Sequence, residues 1–155
     1  MKSLADQSRS ELLALDNQLC FLLYSSSRMM TALYRPLLEK LGLTYPQYLV
    51  LLVMWELEGQ SEEVTIKTLG DRLMLDSGTL TPLLKRMEQQ GLLSRQRATD
   101  DERKVLVRLT DKGTGLKVEA AEVPRTLLCR STIKNENLVG LREGLRELLN
   151  ELTSR

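Results

Sequence analysis

The chain contains two thiols, Cys20 and Cys129, and no histidine in 155 residues. Cys20 stands in Leu19-Cys20-Phe21-Leu22-Leu23-Tyr24, among aliphatic and aromatic neighbours. A thiol there is either a small buried apolar residue or, with a depressed pKa and access to an oxidant, a redox sensor. With no histidine in the chain and no lysine nearby in sequence, a thiolate would need hydrogen-bond donors such as tyrosine hydroxyls, or a helix dipole. In a reducing cytosol a structural disulfide is not expected. The missing histidine also excludes His-dependent triads and argues against a zinc site. No metal or other cofactor is implied.

A second set of residues suits an anionic polymer. The net charge is only +1, but Thr65 to Arg108 carries nine Lys/Arg against six Asp/Glu, so this stretch is +3 and the remainder −2. A local positive excess is the footprint of phosphate binding. In the run from Asp76 to Met87, Leu80, Leu83, Leu84 and Met87 share one helix face. Ser77, Thr79, Thr81, Pro82, Lys85 and Arg86 are left for the outside. Hydroxyls at a helix N-terminus approach base edges closely, and the helix N–H groups favour phosphate. Arg95 and Arg97 follow on a strand and Arg103 on a hydrophilic turn, which suits a cationic hairpin beside a minor groove.

The elements that must position these residues are readable from periodicity. Leu12, Leu15, Leu19, Leu22, Leu33 and Leu37 predict one long helix over residues 10–40, kinked or divided at Pro36. A second helix runs from about Tyr45 to Glu58, and Gly59 stops it. Ile66–Leu73 forms a third; Asp76 caps a fourth, which Gly91 ends. Leu92–Arg97 and Lys104–Leu109 read as a β-hairpin. A helix starts near Thr110, and a leucine-rich one spans residues 134–153. Helix–turn–helix followed by a hairpin is the winged helix-turn-helix plan, here at residues 64–110. The 155 residues suit a single domain, mainly α with a small β-hairpin wing. The leucine-rich helices at 10–40 and 134–153 are expected to bury against a second copy, giving a homodimer. Residues 1–18 carry Asp6, Arg9, Glu11 and Asp16 and lack a signal-peptide core, and the apolar run Tyr48–Trp55 is too short to cross a bilayer. A cytoplasmic protein without a membrane partner is expected.

Leu69-Gly70-Asp71-Arg72-Leu73, the run Asp76 to Glu88, Gly91-Leu92, Asp100-Asp101-Glu102-Arg103 and Leu109-Thr110-Asp111-Lys112-Gly113 resemble the MarR family of dimeric repressors, over residues 10–150. The resemblance implies double-stranded, pseudo-palindromic operator DNA as partner. It also implies a wing tip at which Asp101 orients Arg103 into the minor groove. Asp16 to Phe21, Tyr34-Arg35-Pro36-Leu37-Leu38 and Leu43 to Leu52 resemble one branch, the organic-hydroperoxide-resistance regulators. That likeness implies Cys20 as the redox-active thiol and Tyr34 and Tyr45 as the hydroxyls that hold its thiolate across the dimer. It implies Cys129 as a resolving thiol, and organic hydroperoxide as inducer of a repressor. Tyr48 is read as a core or interface aromatic.

Other readings are a MarR-type repressor released by a small aromatic ligand with passive cysteines, a thiol peroxidase, and a structural dimerisation module. The peroxidase lacks a base or cation beside its thiol. The basic hairpin argues against the module.

Overall fold

A computed structural model of the chain describes residues 8–59, 63–99, 101, 103–130 and 135–154. The elements in order are α1 (Arg9–Leu13), a 3-10 turn (Leu15–Asn17), α2 (Leu19–Glu39), α3 (Tyr45–Leu57), α4 (Ile66–Leu73), α5 (Ser77–Gln89), β1 (Leu93–Arg97), β2 (Val105–Leu109), α6 (Asp111–Ala120), α7 (Glu122–Arg130) and α8 (Asn135–Thr153). They cluster into two compact units, one through Pro124 and one from Arg125 onward.

The first unit contains the core. Val50, Leu51, Leu69, Leu80, Leu84 and Met87 are fully enclosed, drawn from α3, α4 and α5. β1 and β2 pair antiparallel, with Leu93 opposite Leu109 and Arg97 opposite Val105. Val107 N–H donates to the Val64 carbonyl at 2.8 Å, so the chain entering α4 adds a short third rung to the wing. Gly113 locks α6 onto this layer. A Cβ there would sit 2.1 Å from the Leu92 carbonyl oxygen, and its own carbonyl accepts from Trp55 Nε1 at 3.0 Å. Two helices, a hairpin and a helix behind them make up the winged helix-turn-helix architecture that the sequence predicts.

The N-terminal helix departs from expectation. It breaks at residues 14–18, and Pro36 lies inside an unbroken α2. The reason lies in two side-chain amides. Asn17 Nδ2 donates to the Glu11 carbonyl at 2.7 Å and Gln18 Nε2 to the Leu12 carbonyl, so the last carbonyls of α1 are satisfied without another helical turn. Ala14 is extended, at φ −66° and ψ 129°. Pro36 removes one backbone donor, and the packing of Leu38, 1% exposed, holds the helix through it.

In the second unit α8 carries Leu141, Leu145, Leu149 and Leu152, all exposed within one chain. On α2 the same is true of Leu19, Leu22, Met29, Met30 and Leu33.

Candidate nucleic-acid interface and thiol site

The α4–α5 turn is closed by local chemistry. Met74 takes a left-handed conformation (φ 55°) and its N–H donates to the Gly70 carbonyl. Asp76 then caps α5, accepting from Thr79 N at 2.8 Å and from Thr79 Oγ1 at 3.0 Å. The Thr79 backbone bond, first, and the hydroxyl bond hold the Asp76 carboxyl below its ordinary range. α5 presents the two faces that the sequence predicts. Leu80, Leu83, Leu84 and Met87 are buried; Ser77, Thr79, Thr81, Pro82, Lys85 and Arg86 are exposed.

An open cleft of about 580 Å³ lies between the start of α5 and the wing, and Ser77, Thr81 and Arg103 line it. Lys67 and Lys104 line it as well. The sequence reading counts these two lysines in the basic excess but assigns them no role; what would have found them is their placement, Lys67 on the first helical turn after Thr65 and Lys104 at the base of β2.

The wing divides its arginines. Arg97 and Arg103 are exposed. Arg95 is turned back on α5: its guanidinium donates to Glu88 at 2.7 and 3.1 Å and its backbone N–H at 2.9 Å. Its side chain is only 21% exposed. The structure thus sets Arg95 apart from Arg97 and Arg103 in exposure and gives it a fastening role between α5 and β1. At the tip, Asp101 accepts from the backbone N–H of Arg103 at 3.0 Å. The carboxylate shapes the turn that carries Arg103.

The break before α2 changes the setting of Cys20, which is the second residue of a new helix and is exposed. Leu19 and Leu22 beside it are exposed too, and Phe21 is half-buried. Tyr34 lies fourteen residues on along the same continuous helix, about 21 Å away at the helical rise. The two cannot meet within one chain. Tyr34 does meet Tyr45, ring edge to face at 5.1 Å between centroids, and Tyr48 at 6.0 Å. Burial, and then the neighbouring Tyr45, raise the Tyr34 hydroxyl above its ordinary value, so it remains an O–H donor at neutral pH. Tyr48 is 4% exposed and belongs to the core. A hollow of about 270 Å³ beside the pair is lined by Thr31, Arg35, Glu39, Thr44, Tyr45 and Pro46. Cys129 is on α7, and its side chain lies outside the described residues. Among the described residues no cluster of carboxylates and thiols could hold a metal, and no helix is long and apolar enough to cross a membrane.

The family profile described as transcriptional regulator SarA/Rot matches residues 32–120. The chain is 52% identical over 146 residues to the organic hydroperoxide resistance transcriptional regulator of Bacillus subtilis (strain 168), covering 94% of this chain and 97% of that one. Among solved structures it is similar to reduced AbfR bound to DNA, with a TM-score of 0.75, 35% identity, and coverage of 94% of this chain and 99% of that chain. AbfR is a Staphylococcus epidermidis protein. Against the disulfide-formed AbfR the TM-score is 0.61, at 36% identity, with 91% and 96% covered. Recognition helix, wing and these likenesses agree, and the chain belongs to the MarR-type, DNA-binding winged-helix family of transcriptional regulators that includes SarA/Rot and the organic hydroperoxide resistance regulators.

Proposed function

We propose that the chain is a homodimeric repressor that holds operator DNA when reduced and releases it when an organic hydroperoxide oxidises Cys20. The observation that carries this reading is the separation of the reactive parts: an exposed thiol lies in the first turn of α2, and Tyr34, paired with Tyr45 at the start of α3, sits about four turns further along α2. Only a second copy packed on the exposed leucines and methionines of α2 could bring one chain's thiol to the other's tyrosines. The likeness to a hydroperoxide resistance regulator supports the same assignment.

The chemistry balances without a cofactor. The Cys20 thiolate attacks one peroxide oxygen, the O–O bond breaks, and sulfur gains oxygen while the peroxide leaves as an alcohol. The sulfenic acid then condenses with a second thiol, forming S–S and releasing water. Cys129 of the partner subunit fills that role on this reading. Tyr34 and Tyr45 donate hydrogen bonds to the thiolate, and apolar neighbours such as Phe21 and Leu22 favour an alkyl hydroperoxide by burial. Ser77, Thr79, Thr81, Pro82, Lys85, Arg86, Arg97 and Arg103 contact the duplex, α5 in the major groove and the wing tip in the minor groove. Two reading helices must match grooves roughly 34 Å apart, so a small rotation of each breaks the fit.

A gel shift on the chain's own promoter region tests this. Reduced protein should bind, hydroperoxide should release it, and Cys20→Ser should bind and ignore the oxidant. Release of Cys20→Ser to the parent's extent would transfer the switch elsewhere. The second reading, release by a small aromatic ligand, draws on a hollow of about 340 Å³ in which Tyr48, Leu52, Trp55 and Pro124 offer apolar surface and Glu56 and Lys117 stand among the lining. Titration with a phenol in place of hydroperoxide separates the two.

A further inference from the structure

The junction between α3 and α5 contains one buried polar side chain in an otherwise apolar core. Gln47 is 4% exposed and occupies the first turn of α3, between Tyr45 and Tyr48. Its two ends are spoken for. The Oε1 atom accepts the Thr44 backbone N–H at 2.9 Å, as half of a capping box. The Nε2 atom donates to Gln90 Oε1 at 2.8 Å. The assignment is unambiguous, because a backbone N–H can only donate; the oxygen must therefore face Thr44 and the amide nitrogen must face Gln90.

Gln90 is the residue that terminates α5. Its N–H donates to Arg86 and Glu88 carbonyls, and Gly91 follows at φ +70°. The far side of this helix end is fastened separately: Lys112 Nζ donates to the Gln90 carbonyl at 2.8 Å and Thr110 Oγ1 to the Gly91 carbonyl at 2.6 Å. The end of the DNA-reading helix is thus gripped by α6 on one side and by the Tyr45–Tyr48 turn on the other. Tyr45 and Tyr48 both pack on Tyr34.

We infer that Gln47 and Gln90 are positioning residues that transmit the state of the Tyr34–Tyr45 pair to the recognition helix α5. Interdigitated apolar side chains between helices specify no donor–acceptor pairing and can settle into a second packing. The half-buried amide bond from Gln47 to Gln90 has one register, and stretching it takes the partner from the donor of a side chain that is itself buried, which is costly. A shift of the α3 first turn therefore carries the α5 end with it. This rests on the redox reading above, in which the input is oxidation of the Cys20 thiolate that the tyrosine pair of the other chain holds.

The test uses full-length protein and operator DNA, with affinity measured reduced and after organic hydroperoxide. Gln90 is exposed, so Gln90→Ala removes the acceptor while leaving the Thr44–Gln47 cap intact. The parent's operator affinity should fall by about tenfold or more on oxidation, within the usual range of coupling between sites. Gln90→Ala should keep its reduced affinity and lose most of the oxidation-induced drop, with Cys20 oxidised to the same extent by mass spectrometry. Gln90→Glu, which retains an acceptor oxygen, should restore the drop. A merely structural role would lower reduced affinity and leave the ratio unchanged, and that result overturns the inference. So does a Gln90→Ala protein that responds like the parent. If the parent itself ignores hydroperoxide, the redox reading fails first and this inference falls with it.

Discussion

Glu88 accepts three hydrogen bonds from Arg95, and its carboxyl is held below the ordinary value of 4.5, chiefly by the guanidinium bonds, with partial burial opposing them. A lowered folded-state pKa means that the contribution to stability is complete above 4.5 and fades as the pH falls through the folded value. Thermal melts of parent and Glu88→Gln should therefore differ at pH 7 and converge as the pH drops below 4.5; a constant gap down to pH 3 would show that the fork does not stabilise the fold. The same residue shows what composition cannot reveal. Arg95 looks like any other wing cation in sequence, yet its partner lies seven residues back, across a helix end and a glycine turn. Its commitment is a tertiary fact. Cys20 was legible as a lone thiol among apolar neighbours, but its place in a first turn was not. For the tyrosines the expected outcome is kinetic: Tyr34→Phe and Tyr45→Phe should each slow Cys20 oxidation by hydroperoxide while leaving operator binding intact, as read by stopped-flow consumption of the thiol and a gel shift.

Among the elements, α5 and the wing were the most legible, because their limits are set by local devices: the Asp76 cap, the glycine at 91, and the hydrophilic run between Arg97 and the apolar β2. The α1–α2 break was not. The leucines at 12, 15, 19 and 22 keep helical spacing across it, and the amides of Asn17 and Gln18 that end α1 leave no trace in that pattern. At the wing, Arg103→Ala should cost about 1–3 kcal/mol of operator affinity per half-site, with a shallower salt dependence if phosphate is the contact. Unchanged affinity and slope would remove the tip from the interface. Asp101→Ala should cost less, since the carboxylate holds the Arg103 backbone and so acts on the shape of the turn. Gly113→Ala addresses the joint between wing and α6: with the Leu92 carbonyl in the way, the backbone must shift, at about 1–3 kcal/mol or more by the usual cost of overpacking. A chemical denaturation midpoint equal to the parent's would contradict the close approach.

At the scale of the whole molecule, α2 and α8 each expose a row of large apolar side chains, the kind of surface that a second copy covers. Sedimentation at micromolar concentration should show a dimer, and Leu33→Arg, placed beside Tyr34 on α2, should shift it toward monomer and abolish operator binding with it. The fourteen-residue spacing of Cys20 and Tyr34 has a consequence in stoichiometry and inheritance. On the proposed reading, a dimer with a two-fold axis would contain two sensing centres, each assembled from one chain's thiol and the other chain's phenols. Mix a Cys20→Ser chain with a Tyr34→Phe/Tyr45→Phe chain, and in each hybrid pair one centre combines both defects while the other inherits neither. Two alleles, each impaired alone, should therefore complement when expressed together, restoring one full-speed sensor per hybrid pair.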